Sequence, residues 1–523
     1  MSFDDTDYDD GVRPGRRKRR SAVETESEKP PAPPSLENCP VKPLGKRYGT
    51  MLYAFMSASA DIHELKPNQL SSPAFLSALF EGRTKWLRES FPNTEKAGAY
   101  VAQSAGSWLI QRCVEKGYYD PDVDIRGPGA WRLKDGRLLL HLGDTIEIRS
   151  EHGSPEKHQP GIDIGGHVYG AAPPEPVPAD TSAASEDVHD LFEFLHRWNY
   201  DHAEDPRVLL GWIGCCYLAG ALRWRPHVWV SGDSSTGKST LELLVRGLLG
   251  SAALSVSDAT KAYIAARLKS AARPVLLDEA ERESDPSRQK AVVELATLAS
   301  KEGQGGLGRG SPDGTTREHL IRACFYFSSI VRAPLRQQEK SRIHVIDLRP
   351  LSATTVDDVR ALNAGLARFG SSFAARLRAR AVSGYWRFLA NEKVLEEAIQ
   401  SAWRRSGRVA DQMGTLIAMA HVMLSDDVIT PAQALAVLAN FEAVKDEIVG
   451  RADDTEAIQC ATHLLSTSIT YDEDRGRKTR MISELVDDVR RLQGQDGTVF
   501  QGSLHTELRR RGLSLICAAG EME

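Results

Sequence analysis

The chain has 523 residues, a formal net charge of −5, 41% hydrophobic residues and 26% charged ones. That length allows roughly three or four structural units, and the mild acidity excludes a generally basic nucleic-acid coat. Seven cysteines, odd in number and without a C-x-x-C spacing, exclude a disulfide framework and a thiolate zinc site. They fit free core thiols in a reducing cytoplasm. The polar, acidic N-terminus is unlike a signal peptide, and the longest apolar stretch, Val208–Leu222, is too short to span a bilayer. The expectation is a cytoplasmic protein with no membrane partner.

Residues 1–38 hold five aspartates in the first ten positions, then Arg16-Arg17-Lys18-Arg19-Arg20, then a proline-rich run. Such a segment cannot bury a core and reads as a disordered, solvated tail. Residues 39–170 mix helix and strand as an α+β domain. Gly49–Leu65 alternates like a strand or hairpin, and Thr84–Phe91 and Ala97–Lys116 have helical patterns. Gly129–Asp144 reads as two strands around an Asp135-Gly136 turn. Asp122 and Asp124 resemble a metal pair on paper, but their Pro- and Gly-flanked setting reads as a structural loop. Alanine- and proline-rich residues 171–186 form a linker.

Residues 187–350 carry the chemistry. After the apolar run His227–Ser231 comes Gly232-Asp233-Ser234-Ser235-Thr236-Gly237-Lys238-Ser239-Thr240, a complete phosphate-binding loop. Its glycines let successive backbone N–H groups turn inward toward phosphate oxygens. Lys238 reaches the β- and γ-phosphates, Ser239 holds Mg²⁺, and the helix opening there turns its positive end on the same anions. Leu241, Leu244, Val245 and Leu248 supply the helical stripe that this context requires. The cofactors are therefore ATP and Mg²⁺. Pro274–Asp278 is a short hydrophobic run ending in Asp278 and Glu279, the pattern of a buried parallel strand with ligands at its carboxyl end. Asp278 is the metal-binding acid, and Glu279 polarises the attacking water.

Lys301–Thr316 contains six glycines, which predicts a mobile loop or hairpin tip presenting Lys301 and Arg309 to a nucleic-acid backbone. A third strand, Ala323–Ser329, ends in Ser328 and Ser329, either of which suits a contact to the γ-phosphate. Lys340 and Arg342 precede a further apolar strand. Arg342 is either a solvated basic turn or a cation that reaches a neighbouring subunit's nucleotide.

Residues 351–450 read as a helical lid. Val409, Met413, Leu416, Ile417, Ala420 and Leu424 form an amphipathic stripe, with Arg408 at its start positioned for the nucleotide. Residues 451–523 read as helix, turn, helix, strand with many arginines, a winged-helix-like module.

The runs VWVSGDSSTGKST, PVLLDEAE, ASKEGQGGLGRG, FYFSSI and EKSRIHVIDL resemble the AAA+ ATPase of phage and prophage replication proteins related to superfamily 3 helicases. The segments CPVKPLGKRYGT and GAWRLKDGRLLLHLGD are similar to N-terminal parts of prophage-encoded homologues. The resemblance implies an α/β P-loop AAA+ core, a parallel sheet flanked by helices. It also implies a ring, a hexamer of identical subunits, that hydrolyses ATP between subunits while moving along single-stranded DNA beside other replication proteins. Two positions depart from the group: serine stands where asparagine is common in the third strand, and Glu339-Lys340 where an acidic-arginine pair is often found. The expected function is a mobile element's replicative helicase. The alternative is an AAA+ switch acting on a protein partner without unwinding, and a primase–helicase lacks a convincing primase metal site.

Overall fold

The computed structural model describes residues 34–233, 235–257, 259–278, 286–301, 307–310, 316–330, 335–351, 355–404, 407–442, 445, 464, 468–473 and 476–484. Residues 1–33 of the charged tail therefore lie outside the described residues, as does most of the expected winged-helix-like module. From 451 onward the described part is chiefly a hairpin of two strands, Ser468–Glu473 and Gly476–Met481.

The N-terminal region begins with β1 (Lys42–Arg47), β2 (Tyr53–Met56), β3 (Ile62–Leu65) and β4 (Tyr118–Tyr119), ordered β3-β2-β1-β4. The expected hairpin is β2–β3. The expected helix over 97–116 is shorter, Ala102–Lys116. Gly98 has a left-handed φ of 75°, and Tyr100 bridges to Pro92, which holds the preceding residues out of the helix. Asp122 and Asp124 sit on one helical turn, Pro121–Asp124, rather than in a loop. Asp120 accepts from Asp122 N and Asp124 accepts from Asp120 N, so Asp120 and Asp124 cap that turn.

A second antiparallel sheet comprises β5 (Gly129–Arg132), β6 (Leu138–His141), β7 (Ile146–Arg149) and β8 (Glu156–His158). The β5–β6 turn carries Gly136 at φ 85°, a conformation that glycine adopts without strain. The pair β9 (Ile162–Ile164) and β10 (His167–Tyr169) adds Tyr169 to a core with Trp131 and Ile146. Ala272 enters the same core, so this sheet packs directly on the region that follows.

That region is a mixed α/β layer around five parallel strands: β11 (His227–Ser231), β12 (Leu254–Ser257), β13 (Val275–Asp278), β16 (Phe325–Ser329) and β17 (Ile343–Asp347). Their order is β12-β13-β16-β11-β17. The intervening β14 (Leu307–Gly310) and β15 (Thr316–His319) form an antiparallel hairpin, as the glycine content leads one to expect. Alternation along each strand divides the core between two faces. Val228, Val230, Leu276 and Tyr326 pack with helices Asp205–Tyr217 and Lys238–Leu249. Trp229, Val275, Phe325 and Phe327 pack with helices Lys261–Leu268 and Pro286–Ala299 on the other face.

Helices Val356–Arg368, Ser371–Ser383, Tyr385–Trp403, Arg408–Leu424 and Pro431–Asn440 complete the structure. The stripe on 408–424 is wider than the sequence suggests, because nearly every position from Gln412 to Leu424 is buried. Two glycines of the 205–217 helix permit this. A Cβ at Gly211 would lie 2.1 Å from the Leu416 carbonyl oxygen, and one at Gly214 2.5 Å from Met419 Cγ. Gly211→Ala should destabilise the protein by about 1–3 kcal/mol, since backbone must move to admit the methyl. A thermal midpoint equal to wild type would show that the two helices can separate freely.

Among the described residues, Cys39, Cys113, Cys215, Cys216 and Cys324 are free, and all but Cys39 are buried. No helix of the described residues is long and apolar enough to cross a membrane.

Candidate nucleotide site

β11 is an interior strand, so the chain leaving its carboxyl end enters a crevice between neighbouring strand tips, where ligands bind in open parallel sheets. The loop reverses through two left-handed residues, Ser235 at φ 71° and Gly237 at φ 79°. Ser235 is the strained one, as a non-glycine residue held in this region costs on the order of 1 kcal/mol. Thr236 is fully buried and donates to the Asp233 carbonyl at 2.9 Å, closing the turn. Gly237 caps the following helix, with Thr240 N and Leu241 N both donating to its carbonyl. Lys238 Nζ donates to the Gly232 carbonyl at 3.0 Å, which holds the ammonium across the mouth of the loop. Ser239 is exposed, Thr240 is half-buried, and Ser234 lies outside the described residues.

Asp278 ends β13 at the level of Ser257. Leu277 pairs with Phe327, and Ser328 and Ser329 pair with Val230 and Ser231. All these residues therefore reach the same carboxyl end of the sheet as the 232–237 loop. Alternation separates the two serines. Ser328 shares the face of Tyr326 and Leu276, the side on which the 238–249 helix packs and on which Asp278 also falls. Ser329 is on the opposite face, where its hydroxyl accepts from Trp229 Nε1 at 2.7 Å. Glu279 lies outside the described residues.

The sequence reading missed two side chains at this site. Glu242, one turn after Lys238, is buried and accepts from Arg246 at 2.5 Å. Burial, and then the Asp278 carboxylate beside it, hold its carboxyl above the usual range. A charged residue within an apolar helical stripe was the available signal. Trp198 donates its indole N–H to the Gly237 carbonyl at 2.9 Å, pinning the residue that ends the loop. Nothing local in the sequence announces that contact.

The remaining cations lie at the other edge of the sheet. Arg342 immediately precedes β17, and Ile343 pairs with His227 whereas Asp347 pairs with Ser231. Four strand residues separate the two levels, roughly 13 Å. Arg342 is not a projecting turn residue but is buried, donating to the Gln338 carbonyl at 2.7 Å. Burial, and then the charge of Arg408, push it below the usual arginine range. Arg408, exposed at the start of its helix, is thus a neighbour of Arg342.

Lys301 bridges to Trp224 at this same edge, and Arg309 stands opposite Arg317 in the β14–β15 register. The chain ahead of the hairpin, up to Lys301, is bound to the start of β11. Arg225 N donates to the Ser300 carbonyl at 2.7 Å, and His227 Nε2 lies 2.6 Å from the Ala296 carbonyl and 2.9 Å from Ser300 Oγ. Phe325 N donates to His227 Nδ1 at 3.1 Å.

Burial pushes the His227 imidazole down to about 3 and the His141 imidazole to about 4. Both folded values lie below the unfolded value of about 6.5, so the unfolded chain takes up protons first as pH falls. Their contribution is fully present above that value and is lost as pH falls toward the folded values. At pH 5 each should cost about 2 kcal/mol of stability. Thermal midpoints measured from pH 7.5 to 5 should decline, and the decline should shrink in His141→Gln; an unchanged slope would remove His141 from this role.

No protein-family model matches the chain, and no curated protein matches it. Among solved structures, it is similar to SCCmec type IV Cch, described as an active helicase, at 12% identity and a TM-score of 0.45, over 92% of this chain and 91% of that one. It is also similar to the apo NrS-1 C-terminal region, residues 305–718, at 12% identity and a TM-score of 0.32, covering 85% of this chain and 96% of that one.

Proposed function

We propose that the chain is an ATP-dependent translocase on single-stranded DNA, the replicative helicase of a phage or integrated element. Its assembly is a hexameric ring, and its domains are those expected from the sequence, an AAA+ core over 187–350 between the 39–170 domain and the helices of 351–450. One observation carries the reading: the phosphate loop, Asp278 and Ser328 converge on one edge of the parallel sheet, and the cationic hairpin leaves from the other. The hydroxyl of Ser239 and the carboxylate of Asp278 are hard oxygen donors that fit Mg²⁺. Magnesium, when bound, neutralises charge between the β- and γ-phosphates. Residues 232–240 cradle the phosphates, Lys238 meets the transferred group, Glu279 orients water, and Ser328 senses the γ-phosphate.

Arg342 sits too far along its own strand to serve its own phosphate loop, and because it is buried against the Gln338 carbonyl, action on a neighbour's nucleotide requires it to leave that contact, with Arg408 beside it. Arg309 and Arg317 are opposed in the backbone register of the hairpin. The test is DNA-stimulated ATP turnover and unwinding of a forked duplex. Lys301→Ala with Arg309→Ala should abolish the DNA-stimulated increment and strand separation together, and reduce the salt dependence of binding. If the wild-type protein shows no DNA stimulation, a switch acting on a protein partner becomes the better reading.

A further inference from the structure

Gly45, within β1, lies against Gly117, the residue between the 102–116 helix and β4. A Cβ at Gly45 would lie 2.8 Å from the Gly117 carbonyl oxygen, to which Lys46 N donates at 2.9 Å. Tyr48 and Tyr118 consequently meet edge to face, ring centroids 5.2 Å apart, yet remain 76% and 72% exposed. Met51, three residues after Tyr48, is 74% exposed. Aromatic rings left in water forfeit the stabilisation that burial gives them, and their flat faces suit stacking. Cations frame the pair. Lys46 is paired in register with Tyr118, and Lys116 precedes Gly117. Lys116 also lines a groove of about 370 Å³ with Lys42, Arg112 and Glu115. Arg112 is paired with Glu115 at 2.6 Å, and Lys42 donates to the Gly161 carbonyl at 3.3 Å. Lys46 and Lys116 are therefore the better-placed charges. The nearby Asp120 carboxylate accepts from Asp122 N.

We propose that this face is a second binding site for single-stranded nucleic acid, in which Tyr48 and Tyr118 stack bases while Lys46 and Lys116 meet phosphates. Stacking with backbone charge pairing is how sequence-tolerant single-strand sites work. The inference rests on the reading of single-stranded DNA as the polymer partner, and it gives the N-terminal region a holding role apart from the hairpin.

The test uses the full chain and anisotropy of labelled oligothymidylate, compared with an abasic oligonucleotide of equal length. Tyr48→Ala with Tyr118→Ala should weaken oligothymidylate binding by about tenfold or more and narrow the difference between the two oligonucleotides. Tyr48→Phe with Tyr118→Phe should keep both. Lys46→Ala with Lys116→Ala should lower the slope of log affinity against log salt by about 1.4, two phosphates' worth. An unchanged thermal midpoint shows that each variant folds; where the alanine pair does not, Tyr48→Gln and Tyr118→Gln are tested singly. Wild-type affinity in the tyrosine variants, with binding still weakened by Lys301→Ala and Arg309→Ala, would overturn this site and leave the helicase reading standing. If the wild-type protein binds neither oligonucleotide, both fall. If the tyrosine variants instead lose a protein partner while keeping DNA, the face is a protein interface.

Discussion

Replacing Glu279 by glutamine should leave ATP binding in place and cut turnover by at least about a hundredfold. The substitution keeps size and hydrogen bonding but removes the carboxylate proposed to orient water. Its neighbour Asp278 ends β13 at the end of the sheet where the 232–237 loop emerges, and Glu279 itself lies outside the described residues. Binding measured with a fluorescent ATP analogue and turnover measured as phosphate release separate the two effects. Lys238→Ala should weaken both, because it deletes the charge proposed to meet the transferred phosphate. Near-normal release in Glu279→Gln would remove that residue from the reaction.

Arg342→Ala should lose turnover by a factor on the order of a thousand while the affinity of an isolated subunit for ATP stays near wild type. Mixing this variant with Glu279→Gln should restore part of the activity. In the proposed ring, mixed assemblies would contain interfaces that combine Glu279 of one subunit with Arg342 of the next. Failure to recover at any ratio, with mixed rings verified, would place Arg342 in a structural role at the start of β17, where it holds the Gln338 carbonyl.

The strand–loop–helix at 227–249, the strand ending at Asp278 and the hairpin around Asp135-Gly136 were legible because each is written locally. Periodicity, turn chemistry and a fixed spacing all fall within some twenty residues. The Trp198 contact to Gly237 joins residues far apart in the chain, and no pattern of either segment encodes it. The burial of Arg342 was hidden for the same reason: a cation before a strand looks alike whether it faces water or a carbonyl group. Ser328 and Ser329 could not be ranked from sequence, since only the packing on each face says which serine shares the side of Asp278.

The close contact of the 205–217 and 408–424 helices bears on how a nucleotide leaves the site. For the second helix to swing open as a lid, Met413, Leu416, Ile417, Met419, Val422 and Met423 would have to enter water. At about 1.5–3 kcal/mol for each such side chain, the cost is on the order of 10 kcal/mol, comparable to the whole stability of a domain. An open state that costs this much would hold only about one molecule in 10⁷ at equilibrium. If the chain turns over ATP in a ring as proposed, exchange of spent for fresh nucleotide then favours a rearrangement that leaves this helix seated, such as the parting of one subunit from the next.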